Sequence, residues 1–154
     1  MQERGLLMKE MNPVFVRVKG VQKTPDGEEN TISTESQGRY VFRGGKHYVL
    51  YEEKGLTENG KITATLKFDE SKLTLLRHGA VEQTMEFLPR GESRSLYRTP
   101  IGNLSLAVRT EFLGMDLSTE VKKLTVEYSL AMEGVHQSKN SLFIEVSPLL
   151  AEND

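Results

Sequence analysis

Apolar and polar residues alternate with a period of two along most of this chain, and that rhythm constrains the fold more than any other feature. Successive side chains of a β-strand point to opposite faces, so a period of two marks a strand with one buried face and one wet face. Val14, Val16 and Val18 share a face of "VFVRVKGV", and Ile62, Ala64, Leu66 and Phe68 share a face of "KITATLKF". The same pattern runs through Leu104, Leu106, Val108 and Phe112, through Leu124, Val126, Tyr128, Leu130 and Met132, and through Leu142, Ile144 and Val146. No window carries a helical period.

Turn-forming clusters separate the runs: "PDGEEN", "RGGK", "ENG", "DESK", "HGA", "PRGE" and "TPIG". Between them lie about ten predicted strands, roughly 13–21, 31–42, 46–53, 61–68, 72–77, 81–88, 93–98, 103–117, 121–132 and 136–147. A long antiparallel meander with one apolar face must curl to bury that face and remove its edges. The expected fold is therefore all-β, an up-and-down antiparallel β-barrel, with a flattened sandwich as the alternative. After Phe112 the apolar residues move to odd positions (Leu113, Met115, Leu117), which predicts a β-bulge near 112–114. Residues 1–12 read as a loose leader, 13–148 as one barrel domain and 149–154 as a tail.

Composition bounds what such a barrel does. Charged residues make up 27% and the net charge is -2, so nothing draws the whole chain to nucleic acid or an anionic membrane. There is no cysteine, which excludes disulfides, thiolate metal sites and thiol catalysis and fits a cytoplasmic protein. No segment approaches the roughly 20 apolar residues of a membrane helix.

One charged side chain falls on an apolar face. Leu73, Leu75 and Arg77 share a face of one strand, and Gln83, Met85 and Phe87 share a face of the next. Both sets lie on one side of the sheet if opposed residue numbers sum to an even number. Pairing Arg77 with Val81 satisfies this and leaves a loop of His78, Gly79 and Ala80. Arg77 then points inward near one mouth, where an unpaired charge costs several kcal/mol. Ala64 on the neighbouring strand leaves room for the guanidinium to reach Tyr51, Glu52 or Glu53 beyond it. Either Tyr48, Leu50 and Glu52 face in, or Val49, Tyr51 and Glu53 do, and one glutamate is expected to meet Arg77. The pair is either a structural clamp or the anchor of a ligand pocket for a carboxylate or phosphate. Tyr97 and Thr99 share a face and are expected to line the same pocket, with Gln83 beside the arginine.

Other chemistry finds little support. His47, His78 and His136 have no metal-ligand spacing and read as surface or turn residues. No G-x-S-x-G elbow, G-x-G-x-x-G or P-loop pattern occurs. Glu52 and Glu53 are adjacent on a strand and point apart, so they make no catalytic carboxylate pair. The basic, aromatic stretch "RYVFRGGKHY" (39–48) is of the kind that stacks on single-stranded nucleic acid. It also reads as a hairpin turning at Gly44-Gly45 with Tyr40 and Phe42 in the core, and the net charge favours that reading. No catalytic residue, metal or cofactor is indicated.

The segments "YVLYEEKG", "LLRHGAVEQTMEF", "YRTPIGNLSLAVRT" and "LTVEYSL", in this order, resemble the YwiB-like family of small bacterial proteins. The most specific elements are Arg77, Gly79, Ala80, Val81, Met85 and Phe87, followed by Tyr97, Thr99, Pro100 and Gly102. The resemblance spans about 46–132 and implies a lipocalin-like (calycin-type) barrel, a bacterial cytoplasmic origin and no assigned activity. The absence of tryptophan separates the chain from true lipocalins, which carry a Gly-x-Trp signature near the first strand. Two functions follow as expectations: a small-molecule barrel for an anionic or amphipathic ligand, or a structural protein acting as a homodimer. The second requires an interior filled by Phe42, Phe68, Met85, Phe87 and Tyr128.

Overall fold

The structure is a computed structural model that describes residues 11–53 and 61–149. Residues 1–10 of the expected leader (1–12) and 150–154 of the expected tail (149–154) lie outside these, and Asn12 already belongs to the first strand. Ten strands follow one another: β1 (Asn12–Lys23), β2 (Glu29–Arg43), β3 (Lys46–Glu53), β4 (Ile62–Asp69), β5 (Lys72–Gly79), β6 (Gln83–Phe87), β7 (Gly91–Thr99), β8 (Gly102–Asp116), β9 (Lys122–Met132) and β10 (Val135–Pro148). No helix among the described residues is long and apolar enough to cross a membrane.

All the strands form one antiparallel sheet in the order β6-β5-β4-β3-β2-β1-β10-β9-β8-β7. The first and last strands pair from Val14–Pro148 to Lys23–Lys139. The sheet's two edges are thus β6 and β7, which are neighbours in sequence. They meet at one backbone bridge, Glu82–Arg98, with both amide bonds made at 2.8–2.9 Å. Beyond it serine hydroxyls replace the ladder: Ser93 Oγ donates to the Glu86 carbonyl at 2.9 Å and Ser95 Oγ to that of Thr84 at 2.6 Å. The result is a nearly closed barrel with one seam held by side chains.

The inward sets follow the alternation. Val16, Val49, Leu66, Phe68, Leu73, Phe87, Leu106, Val108, Leu124 and Val126 are essentially without solvent contact. Burying such a side chain contributes about 1.5–3 kcal/mol. Phe87 packs on Tyr128 with ring centroids 4.8 Å apart.

Three expectations are corrected. The β5–β6 register is Leu73–Phe87, Leu75–Met85 and Arg77–Gln83, not Arg77–Val81. The even-sum rule holds, but the loop has five residues, because β5 keeps pairing with β4 through His78–Thr63 and Gly79–Ile62. The Ala80 amide then donates to the Lys61 carbonyl at 3.1 Å. Next, the bulge falls between Thr110 and Phe112, with Glu111 as the extra residue. This turns Phe112 outward, 50% exposed, and leaves Thr110 as the last of the even inward series. The Phe112 ring lies over Gly114, 2.8 Å from where a Cβ would stand. Finally, Phe42 is not a core residue: it has inward parity but sits at a mouth and is 56% exposed. A second bulge, between His136 and Ser138, had no counterpart in the sequence reading.

Candidate functional site: the polar end of the barrel

Strand β5 carries Leu73, Leu75 and Arg77 to the interior. Arg77 comes opposite Ala64, and Ala64 comes opposite Tyr51 on β3. Alanine has no bulk to stop the guanidinium crossing a strand. Its Nε donates to Glu53 Oε2 at 2.8 Å and its Nη1 to Gln83 Oε1 at 2.6 Å. The Glu53 side chain is 9% exposed and that of Arg77 29%, so the carboxylate is the deeper partner. The ambiguity within "YVLYEE" is settled by the Val49–Leu66 pairing, which puts Val49, Tyr51 and Glu53 inside.

Two tyrosines complete the setting. Burial pushes the Tyr51 hydroxyl up to about 12, the Glu53 charge adding to the shift and Arg77 opposing it. Burial raises Tyr128 as well, again against Arg77. Both phenols therefore stay protonated at neutral pH, with an O–H able to donate.

Arg77, Glu53, Tyr51 and Tyr128 line a cavity of about 310 Å³. Its apolar wall includes Val18, Leu66, Leu75, Leu142 and Ile144, and its lip includes Ile32, which is 59% exposed. Gly20 also lines it, and a Cβ there would meet only the Leu142 side chain, at 4.0 Å. An apolar wall with a few convergent polar groups is the usual make-up of a small-molecule site.

Residues 16–144 match the family described as a domain of unknown function, DUF1934. The chain belongs to this family. A relative in Bacillus subtilis (strain 168), described as the uncharacterized beta-barrel protein YwiB, is 27% identical over 123 residues, which is 80% of this chain and 84% of the relative. The crystal structure of the Bacillus subtilis ywiB protein aligns with a TM-score of 0.80 at 24% identity, covering 95% of this chain and 100% of that one. At that identity the likeness speaks to the fold.

Within this DUF1934 barrel the other sequence-selected residues lie apart from the cavity. Glu52 points outward and faces Lys61 at 3.7 Å. Gln83 is buried and touches Arg77 without lining the space. Tyr97 packs against the core from β7 and is not part of the lining. Thr99 holds the β7–β8 turn, donating to the Gly102 carbonyl at 2.7 Å and accepting from the Ile101 amide at 3.3 Å. The expectation that Tyr97 and Thr99 share the Arg77 pocket is thereby corrected.

His47 is partly buried rather than the surface or turn residue expected. It faces inward on β3 opposite Phe68, at the mouth away from Arg77. Its ring stacks on Phe68 at 4.8 Å with only 8° between the planes, and its Nδ1 lies 2.7 Å from the Tyr40 hydroxyl. Burial lowers its pKa, the Lys122 charge lowers it further, and Asp69 opposes. The unfolded chain protonates His47 near 6.5, whereas the fold keeps it neutral to lower pH. This contribution is complete above the unfolded value and is lost as pH falls through the folded one. Urea midpoints at pH 7.5 and 5.5 should therefore drop more for the native protein than for His47→Gln. Equal drops would show that the imidazole is not held neutral by the fold.

Proposed function

We propose that this barrel binds a small amphipathic molecule at its Arg77 end. The cavity carries the reading, because a protein with a merely filled interior needs no space there. Of the residues that the structural alternative needs as filling, Phe68, Met85 and Phe87 are buried, whereas Tyr128 lines the cavity and Phe42 is exposed. The bound molecule places its apolar body among Val18, Leu66, Leu75, Leu142 and Ile144. Its polar end carries a hydrogen-bond acceptor, such as a carbonyl, hydroxyl or carboxylate. The donors are the Arg77 N–H groups not committed to Glu53 and Gln83, and the Tyr51 and Tyr128 hydroxyls. Because Glu53 balances the arginine, the site does not require an anion. The protein acts in the cytoplasm on this reading, which its cysteine-free sequence supports.

Gly20→Leu tests the proposal without touching a polar group. A leucine at this open position fills the cavity and replaces a flexible residue in a strand, so folding is expected to be retained. Native mass spectrometry after exposure to bacterial lysate should show a small-molecule adduct on the native protein and none on Gly20→Leu. An adduct kept by the filled variant, or none on either, would remove the cavity from consideration.

A further inference from the structure

The far mouth holds a set of rings that the Arg77 cavity does not explain. Phe68 forms the buried floor, His47 lies flat on it, and Phe42 leans against His47 with centroids 4.6 Å apart at 50°. Tyr40 is the fourth ring, 5.9 Å from His47 at 30°. The series thus runs from full burial at Phe68 to 56% exposure at Phe42. An open basin of about 690 Å³ lies in front of Tyr40, Phe42 and His47.

The polar groups around this basin are mostly committed to holding turns. Lys46 is paired with Asp69 at 2.8 Å, and Asp69 also accepts from the amide and hydroxyl of Ser71. Lys122 Nζ donates to the Leu117 and Thr119 carbonyls at 3.1 and 2.7 Å. What remains is the exposed surface of Phe42, with His47, Leu117 and Glu70 beside it. The Tyr40 hydroxyl lies 2.7 Å from His47 Nδ1, and in the tautomer in which it donates there the imidazole proton sits on Nε2. Nε2 has no hydrogen-bond partner among the described residues and His47 lines the basin, so in that tautomer the ring offers it a donor.

We propose that this mouth is a second binding site, for a planar heteroaromatic ring bearing a hydrogen-bond acceptor. The ring stacks against Phe42 and its acceptor takes the Nε2–H of His47. A single-stranded nucleic acid would offer such rings too, but it needs a cationic track along its backbone. Here Lys46 is neutralised by Asp69, Glu70 joins the rim, and the chain is net negative.

The test is a titration of the isotope-labelled protein with quinoline and with adenosine, followed by nuclear magnetic resonance. The expected result for at least one ring is saturable movement of the His47 Nε2 and Phe42 ring signals. Its affinity should weaken roughly tenfold in Phe42→Ala, the size of one lost stacking contact, and stay unchanged in Gly20→Leu. Phe42 is exposed, so its removal leaves the core intact. The proposal is overturned by non-saturable shifts, by equal shifts with cyclohexanol, by unchanged affinity in Phe42→Ala, or by weakened affinity in Gly20→Leu. Tighter binding of an oligothymidylate than of either ring would also overturn it, by making the basin a nucleic-acid surface.

Discussion

Arg77→Met is expected to destabilise the barrel by about 3 kcal/mol, the low side of what breaking a buried ion pair costs, since the guanidinium is partly wetted. The charge left behind sets the size. Glu53 is more buried than its partner, and removing the arginine strands its carboxylate beside the Tyr51 and Tyr128 rings. Gln83 loses its donor at the same time. Adding Glu53→Leu should recover most of the loss, to within about 1 kcal/mol of the native protein, because a buried pair replaced by apolar residues of similar volume is often neutral or better. Urea unfolding of the two single variants and the double variant measures this directly. An unchanged midpoint in Arg77→Met alone would mean that the pair does not clamp the sheet. The double variant also separates architecture from function: its fold is restored, but the arginine donors are gone, so it should capture the native adduct poorly. Retained capture would leave the cavity as the binding site and acquit the arginine.

The same residues mark what was legible in the sequence. The inward position of Arg77 needed only parity with Leu73 and Leu75, because a one-residue slip would have turned both leucines to solvent. The choice between Glu52 and Glu53 was not legible, since Tyr48 with Leu50 and Val49 with Tyr51 are equally apolar. Only the cross-strand partner of Val49 decides. Loop length escaped for a related reason: parity requires an even sum and is indifferent between three residues and five. The seam was hidden because "SRSLYR" presents Ser93 and Ser95 inward, and their role as backbone partners depends on a strand they do not fully pair with. His47 stands two residues after Gly45, at the start of the predicted strand 46–53, where its face is not legible. Its place between Phe42 and Phe68 needs the pairing of β3 with both neighbours. The cavity escaped because counting large inward residues says nothing of their level along the axis. Phe68, Phe87 and Met85 are buried without lining the cavity, where Gly20 leaves room.

Gly79→Ala is expected to cost about 3 kcal/mol, from a strained backbone and a steric conflict acting together. Gly79 has a φ of 126°, which a residue with a Cβ rarely adopts. A Cβ there would stand 2.2 Å from the Lys61 carbonyl oxygen, and backbone cannot swing away as a flexible side chain can. That carbonyl accepts the Ala80 amide, the contact that carries β5 past Arg77 before the chain turns into β6. Gly27 is the control: its φ is 93°, but nothing lies within 4 Å of the added atom. Gly27→Ala should therefore cost only about 1 kcal/mol, the conformational part alone. If the two variants lose the same stability, the close approach of β5 to Lys61 is not what the glycine serves. If Gly79→Ala also frees the amides of Gln83 to Phe87 for hydrogen exchange ahead of those in β9, the turn is what holds β6, and with it Gln83, against Arg77. A strand bonded fully on only one side depends on its turn in this way, because β7 offers it one backbone bridge and two serine hydroxyls.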